Sequence, residues 1–453
     1  MLWLVLPVLV EQVLALSVGF VDKWLAGNLF PGAEPLAAVG LAAYGLGFLP
    51  VMFAIPAVAA TALVARHVGA GDLAGARRAA THAFLIGGAV TAVATAAIGY
   101  GGAGLSSLLG LPPDSAVLAD RYLAIVLTGL PAMLVIHVGV AVLRGAGDML
   151  AGLVAMSVVN LVNAGLSFAL GIGALGLPRL GWDGLAWGTL AGHVCGAACV
   201  VAVMSRKTFG VRPAWSDWWP SRDWLRRLFS VGLPAGIDAF ANAACHLAFL
   251  GIVNRLGNID AAAHAVAITI ESLAFLPGSA FGVAAATLVG QALGARDERR
   301  ARRSVWLAAA ACCGLMTSVG LLFLGWAGPL ASWFTGGAGR QPDLAALAAA
   351  LVRIVAFAQP PLALLMVCSG GLRGGGATRP PLIVNFLGLA AIRLPLALVL
   401  AWPEVELPGG WGMIRGCDLG VVGAWYAMAA DLTVRGVAML IIFSRLRWSR
   451  VTV

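Results

Sequence analysis

Charge is what this chain has least of: Asp, Glu, Lys and Arg together make up 11% of its 453 residues, against about 25% in soluble domains. An ordinary cytosolic enzyme is thereby excluded. Paired cysteine motifs are missing as well. The seven cysteines (Cys195, Cys199, Cys245, Cys312, Cys313, Cys368 and Cys417) include no CxxC, and six lie in apolar runs. They read as small packing residues, and neither a disulfide framework nor a metal centre is expected. There is no GxSxG, no HExxH, no phosphate loop ending in GK[ST] and no histidine cluster. Nucleophilic hydrolysis, zinc proteolysis and ATP-driven work within this chain are excluded on that ground, so no enzyme is expected.

What is abundant is apolar surface, with 60% hydrophobic residues and a mean hydropathy of +0.93. Six stretches contain no Asp, Glu, Lys or Arg: Pro35–Ala65, Ala79–Pro113, Tyr122–Leu143, Met149–Pro178, Gly184–Ser205 and Ser304–Gly339. Six more, near Leu2–Ala26, Leu228–Val253, Ala261–Leu288, Leu344–Leu372, Pro381–Ala401 and Leu419–Ser444, carry one to three ionisable residues. Since about 20 apolar residues cross the roughly 30 Å of hydrocarbon, the pattern predicts an all-α polytopic membrane protein of twelve spans. The first segment exceeds a signal-peptide apolar region and lacks a basic leader, so it reads as a permanent span.

The basic residues set the expected orientation. Twenty Lys and Arg fall in one alternate set of loops and the tail, only six in the opposite set, and Arg353, Arg393 and Arg435 within helices. Basic residues are retained on the cytoplasmic side, so both termini are expected there, in a plasma (inner) membrane. No loop is long enough for a nucleic-acid-binding fold; the expected partners are the bilayer and small solutes, and the expected working unit is a monomer. The organisation predicted is residues 1–205 with helices 1–6, a basic, Trp-rich cytoplasmic linker at 206–227, and residues 228–453 with helices 7–12. In the linker, Trp215, Trp218, Trp219 and Trp224 suit the headgroup level.

The two halves repeat one another. Leu6-Pro7 and Pro50 recur as Leu233-Pro234 and Pro277, at an offset of 227. Leu63-Val64, Gly69-Ala70, Asp72 and Ala76-Arg77-Arg78 recur as Leu288-Val289, Gly294-Ala295, Asp297 and Ala301-Arg302-Arg303, at 225. Pro131 and Leu143-Arg144-Gly145 with Gly147 recur as Pro360 and Leu372-Arg373-Gly374 with Gly376, at 229. Six helices per half give repeats of one orientation, an arrangement that encloses a substrate path in secondary transporters.

A charge inside the bilayer costs at least about 2.5–3.5 kcal/mol, so each asks for a partner or a purpose. In the second half, Asp238, Glu271 and Asp431 stand against Arg353, Arg393 and Arg435; Asp431 and Arg435, four apart, are expected to pair. Glu271, with His264 seven residues earlier, is the leading second-half candidate. In the first half, Glu11 and Asp22 have no basic residue within the membrane to meet, and only Lys23 is near. Glu11 shares its place after Pro7 with Asp238 after Pro234, whereas the equivalent of Asp22 is Phe249. That asymmetry makes Asp22 the first choice for ion coupling; an interfacial pair with Lys23 is the alternative. Tyr44, Asn160, Asn163, Ser167 and Thr189 are the polar residues expected to line the same site, Tyr44 by offering its π face to a cation.

Pro7 through Val21-Asp22, the run Leu63–Arg78, Leu143–Asp148, Leu288–Ala295 and Leu372–Pro380 resemble the multidrug and toxic compound extrusion (MATE) transporters over essentially the whole chain. The resemblance implies two six-helix bundles around a V-shaped central cavity. It further implies export of cationic or amphipathic drugs by alternating access, in exchange for H⁺ or Na⁺ and with no resident cofactor. Asp22 matches the family's coupling aspartate, where Na⁺ would be the only metal ion; Pro7 matches a bend-associated proline, and Thr189 and Asn163 match polar positions of the same site. Ser167 stands where such members often carry an acid. The acids of a sodium-associated branch would fall near Ala243 and Leu362, which favours protons. A flippase for a lipid-linked saccharide or other lipid intermediate, on a related two-bundle fold, is the alternative function.

Overall fold

In hydrocarbon every backbone N–H and C=O must be satisfied within the segment, which leaves a chain of this composition little choice but long helices. A computed structural model describes residues 2–101, 112–206, 215–336, 341–406, 413–446 and 448. Twelve helices among the described residues are long and apolar enough to cross a membrane, as expected. In order they are α1 (Leu2–Leu29), α2 (Glu34–Met52), α4 (Leu73–Gly101), α5 (Pro113–Ala146), α6 (Leu150–Ile172) and α7 (Trp182–Met204), followed by α8 (Arg222–Asn254), α9 (Asn258–Gly294), α10 (Glu298–Phe334), α11 (Pro342–Gly374), α12 (Arg379–Ala401) and α13 (Gly420–Arg445). The shorter α3 (Ala54–Gly69) continues α2 past a break at Phe53. One departure from an all-helical chain is a small antiparallel hairpin between α12 and α13, β1 (Glu404–Glu406) with β2 (Met413–Arg415).

The repeat recurs in the local structure, and so do its limits. Asp72 and Asp297 both accept the backbone N–H three residues on, from Gly75 and Arg300, each at 2.8 Å. They cap the helices that follow. Gly147 and Gly376 end the preceding helices at φ 102° and 88°, the left-handed conformation that glycine adopts without a Cβ penalty. The repeated prolines behave less evenly. Pro277 and Pro360 sit inside continuous helices, while Pro50 follows the interruption at Phe48 and Pro131 follows a 3₁₀ turn at Leu127–Gly129. Within α12, Gly388–Arg393 forms a π turn, a distortion that often marks a functional position.

By compactness the chain divides into two units. The first comprises Leu2–Gly236 with Gly290–Arg296; the second comprises Ile237–Val289 and the chain from Asp297 onward. Of the expected linker, residues 207–214 lie outside the described residues, Trp215–Trp218 form a 3₁₀ turn, and α8 already starts at Arg222. The segment is fastened to the first unit: Asp217 accepts from Arg77 Nε at 2.5 Å, and Trp224 packs between the rings of His67 and His82 at 5.4 and 6.1 Å. Trp224 is therefore a packing residue rather than a free headgroup anchor.

Candidate functional site

The site is built where α7 comes close to α6. Gly184, Gly188, Gly192 and Gly196 repeat every four residues along one face of α7, the spacing that lets spanning helices approach. A Cβ at Gly188 would lie 2.4 Å from the Ser167 backbone nitrogen, and one at Gly192 would lie 2.8 Å from the Val159 carbonyl. This closeness carries Thr189 of α7 to within 2.8 Å of Asn163 Nδ2 on α6.

Asp22 of α1 sits at the centre and is 2% exposed. Its Oδ2 accepts from Tyr122 Oη of α5 at 2.6 Å and from Thr189 Oγ1 at 2.9 Å, and its Oδ1 accepts from Asn163 Nδ2 at 3.1 Å. Tyr122 and Thr189 hydroxyls are 3.0 Å apart, and both Ser167 Oγ and Thr189 Oγ1 reach the Leu185 carbonyl at 3.1 Å. All the donors to this carboxylate are neutral. Among the described residues, no Lys, Arg or His forms an ion pair with Asp22, and Lys23 forms none with any acid. The interfacial Asp22–Lys23 pair is therefore not formed. A carboxylate removed from water needs either a counter-charge or several hydrogen bonds, and here three donors fill that need.

The other expected site residues divide. Asn163, Ser167 and Thr189 join Asp22. Asn160 turns away: its Nδ2 donates to the Leu14 and Met156 carbonyls, both at 2.8 Å, tying α6 to α1. The side chain of Tyr44 lies outside the described residues. Pro7 lies within α1. Glu11 overturns the expectation that it has no basic partner: Arg144 Nη2 lies 2.5 Å from its Oε2. Arg144 belongs to the last turn of α5, and its long stem carries the guanidinium back to α1. Gly152 makes the room, since a Cβ there would lie 2.1 Å from Glu11 Oε2.

In the second unit the acids are bound by arginine. Asp238 pairs with Arg373 and accepts from Asn385 Nδ2 at 3.0 and 3.2 Å. Since Asp238 and Arg373 are the repeat counterparts of Glu11 and Arg144, one ion pair occurs in both halves. Asp431, fully buried, accepts from Arg393 Nε at 2.9 Å and from Arg435 at 2.6 and 2.8 Å. The expected balance of Asp238, Glu271 and Asp431 against Arg353, Arg393 and Arg435 is thus corrected. Arg373 takes the place of Arg353, which makes no ion pair among the described residues. His264 is engaged elsewhere, accepting from Trp425 Nε1 at 3.1 Å, and Oε2 of Glu271 is buried without a hydrogen-bond partner. Phe249, the counterpart of Asp22, has the Arg393 guanidinium 5.8 Å above its ring.

Tyr122, Arg144, Arg373 and Asn385 escape the sequence reading. For the two arginines a signal exists: Glu11 with Arg144 and Asp238 with Arg373 form a pair of opposite charges that recurs at matching offsets. Tyr122 carries only the weaker signal of a phenol in a stretch free of ions.

Similarity to known proteins agrees with this geometry. The MatE family model matches residues 7–169 and again residues 234–399, so its two copies begin on the repeated prolines. The chain is 27% identical to the multidrug resistance protein PmpM of Pseudomonas aeruginosa over 94% of this chain and 88% of the relative. It is 26% identical to the multidrug resistance protein NorM of Photobacterium profundum over 95% and 94%. Among solved structures, a MATE in the bent conformation superposes with a TM-score of 0.86 at 21% identity, over 98% of this chain and 94% of the other. An outward-facing multidrug resistance MATE family transporter of the MOP superfamily superposes at 0.84 and 21%, over 97% and 94%. MATE proteins are transporters rather than enzymes, and a fold of twelve spans built from two copies of one design is theirs: the chain belongs to the MATE family of multidrug and toxic compound extrusion transporters.

Proposed function

We propose that the chain is a multidrug efflux antiporter in which Asp22 exchanges a coupling ion, a proton by preference over sodium, for a cationic or amphipathic organic compound. The observation that carries this is a buried carboxylate held by neutral donors alone. Such a group is free to change its charge, because no fixed cation stands beside it to demand the negative form.

The hydrogen-bond inventory supports a proton. With Asp22 ionised, Tyr122 and Thr189 both donate to Oδ2. With a proton on Asp22, Thr189 turns its single hydrogen to the Leu185 carbonyl, already 3.1 Å away, and its oxygen accepts from the acid. Both states keep the carboxyl oxygens and the Thr189 hydroxyl paired. Neutralising Asp22 lowers the cost of closing the site around it, and a deprotonated Asp22 facing the cytoplasm attracts a cationic compound; alternating access then follows from which of the two is bound.

Both termini in the cytoplasm, residues 1–205 and 228–453 as the working lobes, and function as a monomer in the inner membrane are part of the same proposal. The relatives' names, as multidrug resistance proteins, support drug efflux over translocation of a lipid intermediate. The test is ethidium efflux from proteoliposomes under an imposed pH or sodium gradient, alongside a labelled lipid-flip assay. Efflux driven by the pH gradient and lost in Asp22→Asn is expected. Efflux retained by Asp22→Asn, or lipid movement without efflux, would overturn the assignment.

A further inference from the structure

Away from Asp22, the ends of α3, α8 and α9 enclose a cavity of about 330 Å³ within the first unit. Its walls carry Arg66, Arg227 and Arg296, with His67 and Asp72 beside them. The base of this cavity is closely fitted. A Cβ at Gly69 would lie 2.0 Å from the Gln291 carbonyl, and one at Gly294 would lie 2.0 Å from the Arg66 carbonyl. Gly69 and Gly294 are repeat counterparts, as are Arg66 and Gln291, so the contact is reciprocal and admits no side chain at either glycine.

The cationic groups are not neutralised. Asp72, the one acid on the wall, is already taken by His67 Nδ1 at 2.8 Å and the Gly75 N–H at 2.8 Å. Among the described residues, no carboxylate pairs with Arg66, Arg227 or Arg296. Arg66 Nη1 is buried with no hydrogen-bond partner, a condition that costs free energy unless something else accepts from it. Arg296 holds a left-handed backbone at φ 58°, a conformation that is costly for a residue with a long side chain and that gathers at ligand sites. Arg227 lies over the Trp224 ring, 5.5 Å from its centroid, so its direction is set.

We propose that this cavity binds a phosphate group. Planar guanidinium forks suit phosphate oxygens in bidentate fashion, and three arginines line this one cavity. The ends of membrane-spanning helices are where the phosphate of an anionic phospholipid lies. A soluble phosphate ester offers the same chemistry.

The test uses the whole protein, purified in detergent and followed by native mass spectrometry and thermal unfolding, with added phosphatidylglycerol, phosphatidylcholine or inorganic phosphate as probes. Wild type is expected to retain phosphatidylglycerol over phosphatidylcholine, and both Arg66→Gln and Arg296→Gly are expected to weaken that retention by about tenfold or more. Arg296→Gly relieves the left-handed backbone, so its folding is protected and its loss of binding stays interpretable. If inorganic phosphate stabilises wild type but not the variants, and displaces the lipid, the site is one for soluble phosphate esters. Retention of both probes by both variants at the wild-type level, or no binding of either probe by wild type, would overturn the proposal.

Discussion

Asp22 and Asp431 are both buried carboxylates in helices of one repeated design, and they differ in what holds them. Asp22 is held by a phenol, a hydroxyl and an amide; Asp431 is held by two guanidinium groups. The first can gain a proton without stranding a charge. The second is clamped: loss of its charge would leave Arg393 and Arg435 buried beside a neutral group, at a cost of several kcal/mol. One half therefore holds its buried carboxylate among neutral donors, and the other holds its own in an ionic knot.

The sharpest way to break this comparison is to make the same chemical change in both places. Asp431→Asn removes the counter-charge from two arginines that are 3% and 4% exposed in their side chains. It is expected to cost about 3–5 kcal/mol and to appear as loss of folded protein in detergent size-exclusion and thermal unfolding. Asp22→Asn strands no charge, so the protein stays folded and only coupled efflux is lost. Equal stability of the two variants would show that the arginines add nothing.

A smaller effect is expected at Tyr122, whose hydroxyl makes the shortest hydrogen bond to Asp22. Tyr122→Phe keeps the ring in its buried place beside Trp182 and deletes one donor to a charged group, worth about 1.5–3 kcal/mol. Efflux in proteoliposomes should fall about tenfold or more while the unfolding temperature moves little. An unchanged efflux rate would remove Tyr122 from the site.

That residue marks the limit of what the sequence could reveal. The twelve spans were legible because the bilayer leaves an apolar chain one kind of structure. The repeat was legible because proline, glycine and arginine punctuate it at constant offsets. Asp22 stood out because a lone acid in hydrocarbon is costly. Its companions were harder: Asn160 and Asn163, one turn apart, differ only in which neighbour each meets, and α6 rotates one to Asp22 and the other to the Leu14 carbonyl. Arg144 stands just past the ion-free run Tyr122–Leu143, yet its helix extends through Ala146 and its side chain reaches Glu11 from 133 residues away. Contacts of that separation depend on helix packing, which apolar periodicity does not specify.

The shared pair offers a subtler comparison. Glu11→Gln and Asp238→Asn leave a carbonyl oxygen that still accepts from Arg144 or Arg373, so only the charge assistance is lost, roughly 1 kcal/mol in each. Thermal unfolding should report similar losses for the two. If Glu11→Gln instead abolished pH-driven efflux while Asp238→Asn did not, Glu11 would belong with Asp22 as a coupling residue rather than with the repeated scaffold.

The smallest effect is expected at Asp72, the acid that caps α4. Its carboxyl is held below the ordinary value of 3.8, first by the Gly75 N–H and then by His67. Because the folded protein favours the charged form, this support is present in full above 3.8 and is lost only as the pH falls through the lower folded value. Asparagine caps a helix about as well as aspartate, so Asp72→Asn should shift stability by no more than a few tenths of a kcal/mol near neutrality. Across about pH 5–8 its efflux profile should overlay that of wild type, since Asp72, held below its ordinary value, is ionised throughout that range. A displaced profile would mean that the loop between α3 and α4 contributes to the pH dependence proposed for Asp22.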